Sequence, residues 1–218
     1  MRRYAAFLGT LAALGGYASL KAASAFPAHA LAAAVAGLLP PALAVWWQVS
    51  YRGGGLEEDS LAARALAWAA AAGLGVWATF LLLSVAGDVA SLLPRVALPG
   101  SAVAAAAGLI ATAGLAQALA GPRVRELEVP IEGLPPGLDG LRIVQLSDLH
   151  VGPTIRRADV AAIVERALSL KPDLIAVTGD LADGDPRRLA RQVAPLAGLQ
   201  APLGVYYVTG NHEYYWDA

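Results

Sequence analysis

Cysteine is absent from the 218 residues, which excludes a disulfide framework, a thiolate metal site and a cysteine nucleophile. Any metal ion in this protein must therefore be held by oxygen and imidazole. Charge is scarce as well. Only 15% of the residues are Asp, Glu, Lys or Arg against 57% hydrophobic, and the formal net charge is −1. That composition fits neither a wholly water-soluble chain nor one with the basic face that nucleic acid requires, so nucleic acid is excluded as a partner. No Gly-rich phosphate loop ending in Lys is present, and Ser147 lacks the glycine setting of a nucleophile elbow, which argues against a serine hydrolase.

The scarcity of charge is uneven. Residues 1–121 hold 6 Lys and Arg with 4 Asp and Glu, whereas residues 122–218 hold 10 and 13. The first part contains four uncharged runs, Tyr4–Leu20, Ala22–Tyr51, Ala65–Gly87 and Val96–Pro122, of 17, 30, 23 and 27 residues. About 20 residues carry a helix across the hydrocarbon core. The runs are rich in Ala, Gly and Leu without two-residue alternation, which predicts closely packed helices and not barrel strands. An all-α transmembrane bundle of about four helices is expected over residues 1–121, the first span being the shortest. Trp46, Trp47 and Tyr51 precede the polar stretch Arg52–Ser60, as interfacial aromatics do, and Pro40-Pro41 predicts a kink in the second span.

Lys and Arg in short flanks orient such a bundle. With the amino terminus in the cytoplasm, Arg2, Arg3, Arg52, Arg64, Arg123 and Arg125 lie inside and only Lys21 and Arg95 outside, so the charged C-terminal part faces the cytoplasm of a multi-pass cell-membrane protein. An alternative reading takes Met1–Ala25 as a cleaved signal peptide, with Ala23-Ser24-Ala25 at the cleavage site; three spans would remain, and the C-terminal part would still end inside. Asp88 and His29, the ionisable residues of the spans, sit near predicted ends where solvation is available and read as solvated groups.

After Gly121-Pro122 the pattern changes to that of a soluble α/β domain. Val124, Leu127, Val129 and Ile131 interleave with charged residues and predict a half-buried first strand, so residues 122–140 read as a linker and first strand. Turn-rich residues 133–140 lead into Leu141–Leu146, which reads as a core strand. Helical spacing follows over Ile155–Leu170, stopped by Lys171-Pro172. Then come a short apolar strand, Leu174–Thr178, a helix over Arg187–Leu199 opened by Pro186 and shortened by Pro195, and a strand at Val205–Thr209. This alternation predicts parallel strands covered by helices.

Three polar clusters occupy the same phase of that repeat. Asp148 and His150 follow the first core strand, Gly179-Asp180 the second, and Asn211-His212 the third. Carboxyl ends of parallel strands share one edge, so side chains about 30 residues apart in sequence should converge there. Two carboxylates, an imidazole and an amide oxygen suit Mn, Fe or Zn. Asp180, on the middle segment, could bridge two ions. A pair of ions can hold a phosphate ester and activate water, which leaves His212 to meet the developing charge or the leaving oxygen. Taken singly, Asp148 and Asp180 could be turn or cap residues and Asn211 a left-handed turn residue; their shared phase argues against that. Asp183 reads as a residue shaping the loop after Asp180, and Glu213 as one orienting a neighbour. Tyr206 or Tyr207 is expected in the core, while Tyr214, Tyr215 and Trp216 could line a cleft.

Asp148-Leu149-His150, Gly179-Asp180-Leu181-Ala182-Asp183 and Gly210-Asn211-His212-Glu213 resemble, in order and spacing, the first three motifs of the calcineurin-like metallophosphoesterases. The lead-in Gly140–Ser147 and the preceding apolar spans resemble the membrane-anchored, YkuE-like branch. This resemblance implies a four-layer αββα sandwich, of which residues 141–218 would be the N-terminal part. It further implies a two-metal site with Asp148 and His150 on one ion, Asp180 bridging, Asn211 on the second and His212 near the scissile phosphate. The expected function is hydrolysis of phosphate ester or pyrophosphate bonds in a phosphorylated small molecule or lipid-linked substrate at the bilayer. The family also uses later histidines, including a Gly-His-X-His motif, and no His follows His212. The expectation is therefore a fragment of a longer enzyme, inactive alone; the alternative is a truncated, non-catalytic membrane protein with a regulatory or interaction role.

Overall fold

The computed structural model describes residues 2–52, 61–94 and 98–215. The side chains of Arg2, Arg3, Trp47, Tyr51 and Arg52, together with Arg95 and Trp216, lie outside the described part. The chain divides into two compact units, Met1–Gly121 and Pro122–Ala218.

The first unit contains four α-helices, α1 (Arg2–Ala25), α2 (Ala30–Arg52), α3 (Leu61–Ala90) and α4 (Gly100–Leu119). Three stretches are long and apolar enough to cross a membrane: Pro27–Trp46, Leu61–Ala90 and Gly100–Leu119. The first expected span, Tyr4–Leu20, lies within a helix, α1, that is not among these three. Instead, α1 buries Ala18 and Ser19 against its neighbours. Gly37 of α2 makes that approach feasible, because a Cβ there would lie 2.7 Å from the Ser19 Cα. Ser19 Oγ in turn donates to the Ala34 carbonyl at 2.8 Å.

Pro40 and Pro41 lie inside α2, which is helical on both sides of them. A proline lacks the N–H that would reach back four residues, so Pro41 leaves the Gly37 carbonyl without its intrahelical donor. Trp77 of α3 supplies one, its indole Nε1 donating to Gly37 O at 2.8 Å. The ring is buried with Ala18 and Leu81. A backbone defect in one helix thus becomes a specific contact with another.

The second unit is built on a three-stranded parallel sheet in the order β1 (Ile143–Leu146), β2 (Leu174–Val177), β3 (Val205–Tyr207). Helix α5 (Arg157–Ser169) connects β1 to β2, and α6 (Pro186–Val193), continued by a 3-10 turn at Ala194–Gly198, connects β2 to β3. The Asp159 carboxylate accepts the Arg156 N–H at 2.8 Å to start α5. Asp185 caps α6 by accepting from Arg187 N at 2.8 Å. The α-helical part of the expected Arg187–Leu199 helix ends at Val193, two residues before Pro195, as proline chemistry requires. Val144, Ile175, Val177 and Ala167 form one buried cluster, and Val151, Val160 and Val164 a second. At about 25 cal/mol per Å² of apolar surface, each of the buried Val and Ile side chains contributes about 1.5–3 kcal/mol.

Two expectations fail here. The predicted first strand over Val124–Ile131 has no regular structure, and Val124, Leu127, Val129 and Ile131 are exposed. Alternation specifies which face a strand would bury, but a strand exists only with a hydrogen-bonding neighbour, and none is present among the described residues. Likewise both Tyr206 and Tyr207 are exposed, because β3 is an edge strand whose faces carry no further layer among the described residues. Of the implied αββα sandwich, one sheet and its two helices are described.

Candidate metal centre

All three strands run parallel, so their carboxyl ends open on one edge. Ser147 to His150 leaves β1, Thr178 to Asp183 leaves β2, and Thr209 to Glu213 leaves β3. The backbone there is strained. Asp148, His150 and Asp180 have φ of 56°, 46° and 52°, a left-handed conformation that costs a non-glycine residue of order 1–3 kcal/mol and concentrates at functional sites. Hydrogen bonds hold the loops in this state: Asp148 N donates to Gly179 O (3.2 Å), His150 N to Asp180 O (3.0 Å) and Val151 N to Leu181 O (2.8 Å).

The β2 and β3 loops nearly touch. A Cβ on Gly179 would lie 2.1 Å from Gly210 N, and one on Gly210 would lie 2.2 Å from Asp180 Oδ1. Only glycine at both positions permits this approach. Across it, His212 N donates to Asp180 Oδ1 at 2.8 Å. The Glu213 carboxylate accepts three backbone N–H groups, from Leu181 (2.7 Å), Gly210 (2.7 Å) and Asp180 (3.0 Å). Burial pushes the Glu213 carboxyl up, but the Leu181, Gly210 and Asp180 N–H groups outweigh it and hold the group below the usual carboxylate range. Glu213 clamps the loops and is no metal-facing acid.

Donor atoms of Asp148, His150 and Asp180 lie within 4.8 Å of one another, as do those of His150, Asp183 and His212. The second group has a different character from the first. Asp183 Oδ1 meets His150 Nδ1 at 3.1 Å and His212 Nδ1 at 2.5 Å, and the two rings pack edge to face with centroids 4.5 Å apart. An ionised carboxylate only accepts, so the Nδ1 atom of each ring is the one that donates, and His150 Nε2 is turned toward Asp148. That nitrogen lies 3.9 Å from Asp148 Oδ1. A carboxylate behind a histidine, facing further oxygen donors, is the usual support of a metal-ligating imidazole. The donor set of Asp148, His150 and Asp180 therefore fits a divalent cation.

His212 stands differently. Its bond to Asp183 raises its pKa above the usual histidine value; burial opposes this, and the negative charges of Asp183, Asp180 and Glu213 add to the rise. Tyr215 packs against it with ring centroids 5.3 Å apart, and accepts from Asn211 Nδ2 at 3.1 Å. The Asn211 side chain is thus bonded to a tyrosine on the exposed side, while its neighbour's backbone is anchored to Asp180.

The family model for calcineurin-like phosphoesterases matches residues 141–218, the segment that carries all of these residues. This segment is a calcineurin-like phosphoesterase domain. Members of that family are metal-dependent hydrolases, in keeping with the donor groups at the strand ends. The chain is 43% identical over 107 residues to the transmembrane protein with metallophosphoesterase domain of Danio rerio, covering 49% of this chain and 24% of that protein. It is 39% identical over 93 residues to an uncharacterized metallophosphoesterase of Aquifex aeolicus, covering 43% and 35%, and 37% identical over 83 residues to the uncharacterized metallophosphoesterase YkuE of Bacillus subtilis, covering 37% and 29%. The chain thus spans about a quarter to a third of the length of these relatives. No solved structure matches it. Relatives named as transmembrane proteins and the three candidate spans both support a membrane-associated phosphoesterase family.

The residue that sequence reasoning undervalued is Asp183. It shapes the loop as expected, its N–H donating to Val151 O at 2.9 Å, but its carboxylate also meets both histidines. The Asp180-X-X-Asp183 spacing was the available signal.

Proposed function

We propose that this protein is a membrane-anchored phosphoesterase that uses two divalent ions, of Mn, Fe or Zn, to hydrolyse phosphate ester or pyrophosphate bonds on the cytoplasmic side of the cell membrane. The observation that carries this reading is the gathering of Asp148, His150 and Asp180 donor atoms within 4.8 Å from the ends of two strands. Asp148 and His150 would hold one ion, Asp180 would sit between two, and Asn211 would hold the second. A bound pair supplies Lewis acidity toward phosphoryl oxygens and a lowered pKa for water. His212 is the catalytic residue, keeping a proton at Nε2 for the leaving oxygen, and Asp183 is a positioning residue for both imidazoles. Helices that hold the domain at the bilayer favour a lipid-linked substrate.

The full-length protein that carries this chain, reconstituted in membranes, should bind about two divalent ions and hydrolyse a bis-aryl phosphate; Asp180→Asn should lose metal and slow turnover on the order of 100-fold or more. Undiminished metal-dependent hydrolysis in that variant overturns the assignment. Because the chain has no Cys, one introduced at exposed Glu165 (Glu165→Cys) reports the side directly. Labelling from the cytoplasm alone is expected from six Arg on the inner flanks against two basic residues on the outer ones.

A further inference from the structure

The helical unit contains a polar cluster that phosphate hydrolysis does not use. Lys21 Nζ of α1 pairs with Asp88 Oδ1 of α3, and the Tyr17 hydroxyl, one turn earlier on α1, donates to Asp88 Oδ2 at 2.7 Å. Asp88 is exposed, as expected from sequence, and serves as an interhelical partner as well. Beside it lies a cavity of about 260 Å³, its walls including Lys21, Asp88, Ser84, Phe80 and Val103. Ser84 is 5% exposed, and its hydroxyl has no hydrogen-bond partner among the described residues. Buried hydroxyls rarely remain unpaired, so Ser84 points to a partner from outside the chain.

The same cavity is lined by Gly100, the first residue of α4. No side chain caps this helix, and a Cβ on Gly100 would lie 2.9 Å from the Ala25 Cβ of α1. The α4 amino terminus is thereby held against the end of α1, and a helix amino terminus attracts negative charge.

We propose that this cavity binds the headgroup of an ethanolamine-type zwitterionic phospholipid, its phosphate toward Lys21 and the α4 amino terminus and its primary ammonium toward Asp88 and Ser84. A ligand of one sign would meet one attractive and one repulsive charge on this wall, whereas a zwitterion meets two attractions. A primary ammonium donates hydrogen bonds that the Asp88 carboxylate and Ser84 hydroxyl accept; a quaternary ammonium cannot. The volume lies just below the ~300 Å³ at which sites for drug-sized ligands begin, so it suits a headgroup, and the acyl chains stay in the bilayer.

The test equilibrates the full chain with an equimolar mixture of phosphatidylethanolamine, phosphatidylcholine and phosphatidylglycerol, strips loose lipid, and reads retained lipid by native mass spectrometry. Phosphatidylethanolamine should be retained about tenfold over the other two. Ser84→Leu, which fills the cavity and leaves the Lys21–Asp88 pair in place, and Asp88→Asn should both abolish that preference. Circular dichroism of each variant separates loss of binding from loss of fold. Retained lipid that mirrors the offered mixture, or a preference unchanged in Ser84→Leu, overturns the proposal. So does capture of soluble glycerophosphoethanolamine with exclusion of the lipid.

Discussion

Asp183 Oδ1 and His212 Nδ1 meet at 2.5 Å although 29 residues separate them. The same oxygen reaches His150 Nδ1 at 3.1 Å. One carboxylate, on the loop after β2, therefore holds two imidazoles carried by the loops after β1 and β3.

Asp183→Asn keeps the shape of this arrangement and removes its charge. In the full-length enzyme, turnover should fall on the order of 10–100-fold. The distinguishing readout is the pH–rate profile. Asp183 is the largest cause of the raised His212 pKa, so without it His212 loses its proton at lower pH and the alkaline limb of kcat should move down. A fall in kcat with an unmoved alkaline limb would show a purely structural role for Asp183.

Glu213→Ala orphans three backbone N–H groups at the junction of two loops. The expected destabilisation is at least about 1–3 kcal/mol, read from chemical unfolding of the protein. Because the folded carboxyl lies below its ordinary value, its contribution is fully present above the unfolded pKa of about 4.3 and disappears as pH falls through the folded value. Wild type should therefore lose more stability than Glu213→Gln between pH 6 and the acid limit; parallel curves would contradict the clamp.

Trp77→Phe removes the donor that Gly37 O receives in place of the one Pro41 lacks. The cost should be about 0.5–2 kcal/mol in a membrane setting. Pro41→Ala restores an intrahelical N–H to the same carbonyl, so the two substitutions should be non-additive, with Trp77→Phe much milder in the Pro41→Ala background. Strict additivity in a steric-trap or detergent unfolding cycle would disprove the link.

Helix and strand order was legible because each apolar stretch has its own period. Leu174–Thr178 could only be a short buried strand between turns, and Pro195 had to end α6. The polar residues of the site were legible through their phase, each falling just past a strand. Residues 124–131 show the limit of that reasoning, since alternation describes a strand's faces and says nothing of a pairing partner. Tyr206 and Tyr207 failed for the same reason.

From the residues alone came the division into an apolar and a charged part, the exclusion of thiol chemistry, and the nomination of Asp148, His150, Asp180, Asn211 and His212. Those follow from composition and periodicity, which are local properties of a chain. The double use of Asp183, the loop clamp of Glu213, the Gly179–Gly210 approach and the Lys21–Asp88 pair were decided only in three dimensions. Each is a contact between segments that topology brings together, and a hydrogen bond's partner is set by distance in space, which no one-dimensional pattern records.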